Sequence, residues 1–569
     1  MRIALVGGGP SALFVLKQLL EFGPSDLRVV IFERKSRLGQ GMPYSAEGAQ
    51  PEHITNVSSS ELPPLPESLV DWVQRQQPEE MQLYGVDPQR FHEDRVLPRL
   101  LFGRYLQEQF EQLLARAEQQ GVRVRVHFEA TVEDIRDLPR EKQVELLVNG
   151  QLLHYDRVVL CTGHHWPLKN EGKVAGYYDS PYPPAKLVGP FDHPVALRGS
   201  SLTAVDAVRT LSRQHGHFQR SEAGLAFRPD ARYPHFKLVL HTRNGLLPCL
   251  RFHLEDPEVH GVELPDEEQL AEIRRENDGF VPLDWVFDAY FKQLLREKDP
   301  EAYERIRTMN MEQVVEAATR PREASDPFDY FKKEYAEALE SEARQRTVAW
   351  KEVLAILSFA LNYPAKYFSA EDMLRLRQTL SPLISIVIAF IPRSSAEELL
   401  ALHAAGRLEL LEVGTQSRVE PRDEGGITYY FESGQQSYET FVDCVGQPTL
   451  ELDSFPFRGL VNQGVISQAR VAFRRAENAR EVESDKVQRG EDGSCYLVVP
   501  GMAISDHFQP VDQGGRAHPR VYVMTVPFMG GHNPDYSGLD FCEEASKRIA
   551  EKLMESMPGR ICSSQKAGG

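Results

Sequence analysis

Apolar residues fill Ile3 to Val6 without a break and then recur at Ala12, Leu13, Leu16, Leu19 and Leu20. That change of period predicts a buried strand that passes directly into an amphipathic helix. The turn between them, VGGGPSA, is glycine-rich, and a second apolar strand follows at Val29 to Phe32. A Gly/Pro/Ser-rich stretch then precedes an amphipathic helix from about Gly103 to Gln119. A strand pair, VRVRVHFEATV and QVELLVNG, leads to YDRVVLCTG, a buried strand closing on Cys161, Thr162 and Gly163. Five prolines between 181 and 194 make a regular element improbable there and predict a stiff interdomain connection. The strand–glycine–helix pattern then repeats in VALRGSSLTAVDAVRTL, followed by the strand FKLVLHTRNG.

From about 265 to 380 the pattern is helical, with Phe331, Tyr335, Leu339 and Ala343 predicting an apolar stripe on a charged helix. This region is either a packed helical subdomain or a substrate-lining one. GRLELLEVG, ITYYFES and ETFVDCVGQ repeat the strand meander and closing strand of the first unit. NAREVESDKVQRGEDGSC reads as an exposed polar loop and SSQKAGG as a disordered tail.

The first glycine turn fits GxGxxA at Gly7, Gly9 and Ala12. The first position makes the turn, the second lets a pyrophosphate approach bare backbone, and the small third residue lets helix pack on strand. Pro10 and Ser11 open the helix, whose unpaired N–H groups would face the phosphates. Glu33, followed by Arg34, ends the second strand about twenty residues on, where a ribose-binding acid belongs. In the second unit the matching positions are Gly199, Ser201 and Ala204, with Thr203 in the helix's first turn. Ser201 stands where bare backbone is usual, so this site binds a dinucleotide normally, weakly, in a shifted pose, or has decayed. Arg243, just past the following strand, is either a partner for a 2′-phosphate or an ordinary exposed arginine.

A chain of 569 residues predicts two or more domains. A net charge of −18 argues against nucleic acid or an anionic membrane as the main partner. None of the six cysteines forms a C-x-x-C pair, which disfavours a zinc ribbon or a dithiol redox centre. The adjacent His164 and His165 lack an acid or cysteine at ligand spacing, so no metal site is expected. The first strand starts at residue 2, leaving no room for a signal peptide, and the longest apolar run, Leu383 to Ile391, is too short to span a bilayer. A cytoplasmic location is therefore expected.

The chain resembles the two-dinucleotide-binding-domain flavoproteins, and more narrowly the bacterial FAD/NAD(P)-binding family related to flavin N-monooxygenases. The resemblance rests on GQGMPYS, HITNVSS, RVLPRLLFGRYL, GSSLTAVDAV, HTRNGLLP and HNPDYSGLDFCEEASKRIA, in that order. It implies an α/β fold of two Rossmann-like three-layer domains, one for FAD and one for NAD(P), with a helical insertion. The expected boundaries are 1–185 for the first part of the FAD domain and 186–447 for the NAD(P)H domain, with its helical insertion at about 250–380. Residues 448–569 would complete the FAD domain. Gly7, Gly9 and Ala12 would hold the FAD pyrophosphate, Glu33 the adenosine ribose and the backbone near Val132 the adenine. Gly39, Gly41 and Asn56 would lie along the flavin side, although Asn56 also suits a turn cap.

The resemblance also places a helix N-terminus near Ser537, Gly538 and Leu539 at the flavin ring, where it would stabilise negative charge. Relatives carry a Gly-Asp pair here that holds the ribityl chain; this sequence lacks it, and Asn533 or Asp535 would have to substitute. His532 and Asn533 would either bond flavin N5 as catalytic residues or stabilise their own loop. The implied activity is oxygenation of a nucleophilic heteroatom by NADPH and O2, first among them the amine of a small amino acid or biosynthetic intermediate. NADH is the alternative reductant. An amino-acid carboxylate would need a fork-shaped partner, for which Arg99, Arg104 and Arg251 are the candidates by position. Two other functions stay open: a flavin oxidoreductase passing electrons to a quinone or protein partner, and an FAD-binding protein with a decayed nicotinamide site. A homo-oligomer is compatible with all three.

Overall fold

In the computed structural model, which describes residues 1–23, 26–222, 224–255, 263–491, 493–535 and 538–556, the core is built on two parallel sheets. The first has the order Val521–Val523, Arg157–Leu160, Arg2–Val6, Arg28–Phe32 and Arg123–His127, every pair parallel. Ile3, Ala4 and Leu5 are wholly buried, which is why these strands read as unbroken apolar runs. The helices Pro10–Phe22, Arg99–Gln119 and Leu539–Glu555 pack beside one another on this sheet. Lys17 Nζ and Gln18 Nε2 of the first helix both donate to Glu543 Oε1 of the last, at 2.5 and 2.8 Å. The two helices therefore present their N-termini from a fixed relative position.

The stretch read as a single strand at 122–132 is divided. Arg123–His127 joins the parallel sheet, and Val132–Leu138 begins a three-stranded antiparallel meander with Gln143–Val148 and Gln151–Tyr155. Glu129, at φ 53°, turns the chain between them.

The second sheet repeats the plan, with the order Tyr177–Tyr178, Thr440–Asp443, Pro194–Arg198, Lys237–Thr242 and Leu408–Glu412, again all parallel. The chain thus enters this sheet at Tyr177–Tyr178, ahead of the proline-rich stretch. Helix Leu202–Gln214 follows Pro194–Arg198 as Pro10–Phe22 follows Arg2–Val6. The helical region lies in the connection between Lys237–Thr242 and Leu408–Glu412, running from Glu267–Glu276 to Ser381–Val387 before Arg393–Ala404 returns to the sheet.

Within that region the buried face of helix Pro327–Arg344 consists of Phe328, Phe331, Glu334, Ala338 and Ser341, whereas Ala343 is exposed. The stripe expected at 331, 335, 339 and 343 is therefore rotated. A charge group explains the shift: Glu334 is buried because it accepts from both Arg322 and Lys351, itself buried. Part of the polar stretch 478–495, expected as a loop, is a strand: Val487–Arg489 pairs with Cys495–Met502 in a three-stranded antiparallel sheet. That sheet contributes Val471, Leu497 and Val499 to the core of the helical region before the chain returns to the first sheet. The expected disordered tail lies outside the described residues.

Candidate dinucleotide site

Where strand Arg2–Val6 becomes helix Pro10–Phe22, a cavity of about 560 Å³ opens along the carboxyl ends of the first sheet. Gly7 makes the turn at φ 102°, and a Cβ there would stand 2.6 Å from the carbonyl oxygen of Cys161. Gly9 is extended (φ −80°, ψ −163°), and a Cβ on it would lie 3.3 Å from the Cα of Gly41. Two backbone segments thus come together with no side chain between them, and the helix start they form has no side-chain cap and no acid in its first turn. Pro10 occupies the first helical position, where its missing N–H costs nothing. The open N–H groups at Ser11 and Ala12 suit a pyrophosphate.

Glu33 closes the adjacent strand on the cavity wall. Its Oε2 accepts from the Gly8 N–H at 2.7 Å and its Oε1 from the Lys35 N–H at 2.8 Å. The carboxylate is held in place and each oxygen keeps a lone pair for a ribose hydroxyl. Arg34, Gly41, Val132, Thr162, Gly163, Gly538 and Leu539 also line the cavity. Gly39, at φ 82°, donates its N–H to the Gly8 carbonyl and so ties the following loop to the glycine turn. Thr162 Oγ1 donates to Thr525 Oγ1 at 3.1 Å, joining the ends of two neighbouring strands. These features fit FAD: a bare cradle for phosphate, an anchored acid for ribose, and a helix N-terminus at the far end. Ser537 lies outside the described residues.

Other candidates are placed differently. His532 and Asn533 are buried but do not line the cavity. His532 Nδ1 accepts from the Ile504 N–H, burial lowers its pKa to about 4, and Asn533 Nδ2 donates to the carbonyl of Asn362 in the helical region. Both side chains are buried off the cavity wall, where His532 Nε2 and Asn533 Oδ1 have no partner among the described residues. Asn56 is likewise off the wall, its carbonyl accepting from Arg251.

The three candidate substrate arginines are all engaged. Arg99 pairs with the buried Asp206, which also accepts from Tyr182 Oη at 2.7 Å. Arg251 bonds Glu61, Ser58 Oγ and the Asn56 carbonyl. Arg104 pairs with Glu80 at 3.0 Å on the outside of its helix. Arg99 and Arg251 therefore join the first domain to the rest of the chain, and none of the three offers an unengaged fork to a carboxylate.

The second glycine turn has nearly the same backbone as the first. Gly199 is at φ 108°, and a Cβ on it would stand 2.9 Å from the Cys444 carbonyl. Ser201 precedes helix Leu202–Gln214, makes no capping bond with its side chain and stands at φ −83°, ψ −166°, close to the conformation of Gly9. That is extended backbone that any residue adopts, so serine is accommodated without strain. Ala204 is buried as Ala12 is, and Thr203 lies beside Gly446 at the end of the neighbouring strand. Arg243 is exposed just beyond Thr242, whose buried Oγ1 has no partner among the described residues.

Sequence reasoning missed several wall residues, including Arg37, Tyr44, His164, Phe528 and Cys542. Arg37, Tyr44 and His164 sit in loops without a repeating pattern, Phe528 ends a short 3-10 turn and Cys542 lies in the first turn of helix Leu539–Glu555, although Arg37 follows Glu33 closely enough to have been suspected. Burial raises the pKa of Cys542 to about 12, and its Sγ lies 3.6 Å from Ser11 Oγ. Between the wall residues Leu539 and Phe541, Asp540 has its pKa raised to about 7 by burial, with Asp535 adding to the effect. Among the described residues no three His, Cys, Asp or Glu side chains cluster as a metal site, and no helix is long and apolar enough to cross a membrane.

Comparison with known proteins agrees with this geometry. The FAD-NAD(P)-binding family model matches residues 4–165, and the YdhS-like middle domain matches residues 266–388. Solved structures similar along nearly the whole chain include a cadaverine monooxygenase of desferrioxamine biosynthesis from Erwinia amylovora (12% identity, 100% of this chain and 98% of that one, TM-score 0.46). An ornithine N-hydroxylase from Kutzneria sp. 744 (13%, 97% and 98%, TM-score 0.44) and a bacillithiol disulfide reductase from Staphylococcus aureus (9%, 98% and 98%, TM-score 0.42) also match. The uncharacterized protein YdhS of Escherichia coli (strain K12) is 30% identical over 559 residues, which cover 97% of each chain. With its FAD-NAD(P)-binding domain and its helical middle domain both matched, the chain belongs to the YdhS family.

Proposed function

We propose that this protein is an FAD- and NADPH-dependent monooxygenase that oxygenates a nucleophilic heteroatom, the amine of a small molecule in the first instance. The observation that supports the reading is the pair of glycine turns with matching backbone, joined where the two units meet. Trp166 Nε1, just past the first unit's closing strand, donates to the Gly446 carbonyl of the second at 3.0 Å. A cofactor in each unit would bring two redox-active rings towards one junction.

Gly7, Gly9, Ser11 and Ala12 would hold the FAD pyrophosphate and Glu33 its ribose; Gly199, Ser201, Thr203 and Ala204 would hold NADPH, with Arg243 at its 2′-phosphate. When bound, FAD supplies the redox chemistry, taking two electrons from the nicotinamide and delivering them to O2. The chain's own residues position and shield. The N-terminus of Leu539–Glu555 favours negative charge beside the cavity, and burial raises the pKa of Asp540 to about 7, so that it exchanges a proton near neutral pH. Val526, Phe528, Leu539 and Phe541 give the wall an apolar surface that excludes water.

The engagement of Arg99, Arg104 and Arg251 supports a second reading, an NAD(P)H-dependent flavin oxidoreductase delivering electrons to a quinone or protein partner. Aerobic NADPH consumption measured against panels of primary amines and quinones separates the two. The monooxygenase reading expects amine-stimulated, O2-dependent consumption and a product heavier by one oxygen atom. Consumption indifferent to amines and accelerated by quinones would favour the second.

A further inference from the structure

Three phrases that stand out in the sequence, HITNVSS, RVLPRLLFGRYL and GSSLTAVDAV, meet at one buried place between the two units. They supply His53, Arg99 and Asp206, none of which lines the cavity. His53 is wholly buried, and Asp206 and Thr210 are buried with it. His53 Nε2 lies 3.2 Å from the Asp206 carbonyl oxygen and 2.9 Å from Thr210 Oγ1, while Nδ1 accepts from the Gln50 N–H at 3.3 Å. A carbonyl oxygen only accepts, so the proton is on Nε2, and burial keeps the ring neutral. Thr210 Oγ1 in turn donates to Glu52 Oε1 at 3.1 Å. The Asp206 carboxylate is gripped separately, by Arg99 and by Tyr182 Oη. The two grips are joined, because the Arg99 N–H donates to the His53 carbonyl at 2.8 Å.

Asp206 and Thr210 stand four residues apart on helix Leu202–Gln214, so they share a face and lie about 6 Å apart along the axis. A contact at one turn would leave the helix free to pivot, whereas contacts at two successive turns fix its tilt and its rotation together. Another side of the helix is tied to its own unit, where Arg209 and Arg213 bond Glu398 of helix Arg393–Ala404 at 2.9 and 2.8 Å. The second glycine turn opens this helix. On the first unit, the loop leading to His53 is anchored where the Ala49 N–H donates to the Ser45 carbonyl at 2.9 Å, next to the wall residue Tyr44. One polar assembly thus connects the wall of the first cavity with the helix that carries the second turn.

We propose that His53 is a positioning residue that, with Arg99, fixes the second glycine turn relative to the first cavity, so that nicotinamide and flavin meet in one set geometry without a swing of either unit. His53 acts through the helix it holds. The inference rests on reading the two units as FAD and nicotinamide sites.

The test uses the full FAD-loaded chain. Flavin reduction by NADPH is followed anaerobically, NADP⁺ affinity is titrated separately, and ring stacking is read from the long-wavelength charge-transfer absorbance of the reduced protein with NADP⁺. His53→Ala is expected to slow reduction about tenfold or more and to weaken that absorbance, with FAD and NADP⁺ affinities within about threefold of the parent, because a small misplacement of reacting groups costs rate before it costs binding. His53→Gln, whose Nε2 donates from a similar position, should restore the rate to within about threefold. Thr210→Val is nearly isosteric, removes the same bond from the helix side and should act in the same direction, which decides the matter if His53→Ala does not fold. Solution scattering of the parent should be unchanged by NADP⁺. Reduction within about twofold of the parent in either variant that folds, or rate and affinity falling together, would overturn the positioning role. A scattering profile of the parent that changes when NADP⁺ is added would overturn the set geometry. A parent chain that takes up no FAD, or is bleached by neither nicotinamide, would instead remove the reading on which this inference rests.

Discussion

Gly7→Ala is expected to strip the protein of its flavin. The residue sits at φ 102°, a conformation that side chains rarely adopt, and the added Cβ would meet the Cys161 carbonyl oxygen at 2.6 Å and its carbon at 3.0 Å. Neither neighbour can yield. Val6 and Leu160 are paired in register in adjacent parallel strands, and the Cys161 N–H donates to the Val6 carbonyl at 2.8 Å. Relief must come from moving the glycine turn, which displaces the open N–H groups of the helix start. We expect FAD affinity to fall by about 100-fold or more, with a stability loss of about 2–4 kcal/mol from strain and overpacking. Gly85→Ala is the control, since that glycine also has positive φ, at 69°, but has nothing within 4 Å of the added atom. It should cost about 1 kcal/mol and leave FAD affinity unchanged. Fluorescence titration and urea unfolding of the two variants check both parts.

The second large effect concerns the joint between the domains. Asp206, on helix Leu202–Gln214, is buried and accepts from both Arg99 and Tyr182. Asp206→Ala would leave the Arg99 guanidinium in a dry interface without its counter-charge. Breaking a buried pair from one side typically costs about 3–5 kcal/mol, and urea unfolding should show a loss in that range. Replacing both members, as Arg99→Met with Asp206→Ala, should recover most of it, because no uncompensated charge remains. A loss under about 1 kcal/mol in the single variant would show that water reaches Arg99 and that the joint is weaker than its geometry implies.

These two sites also mark what the sequence discloses. The Gly7 and Gly199 turns were legible because a strand, a tight turn and a helix in immediate succession impose backbone demands within a few residues. Glu33 was legible from its spacing for the same reason. At Ser201 the sequence shows the lost glycine but not the backbone: the position is extended, so serine brings no strain there, while its side chain still stands where Gly9 offers bare backbone. The engagement of Arg99 and Arg251 with protein carboxylates was hidden by distance along the chain. Their partners are 107 and 190 residues away, and nothing local to either arginine signals that it is already engaged. His532 and Asn533 were drawn to the flavin by their place ahead of a helix start, but partners at Ile504 and Asn362 turn them inward. The rotated stripe on Pro327–Arg344 has a similar origin, because Glu334 can be buried only when Arg322 and Lys351 arrive from other helices.

In the proposed function, one chain holds FAD and a nicotinamide in two matching units that meet closely enough for hydride transfer. Anaerobic rapid mixing of the FAD-loaded protein with NADPH, and separately with NADH, tests it most directly by following the flavin absorbance. Prompt bleaching with NADPH is expected, slowed in a variant lacking Arg243, while an NADH reaction would be insensitive to that change. A chain that holds FAD firmly but is bleached by neither nicotinamide would contradict it, and would leave the second turn a structural repeat without a ligand.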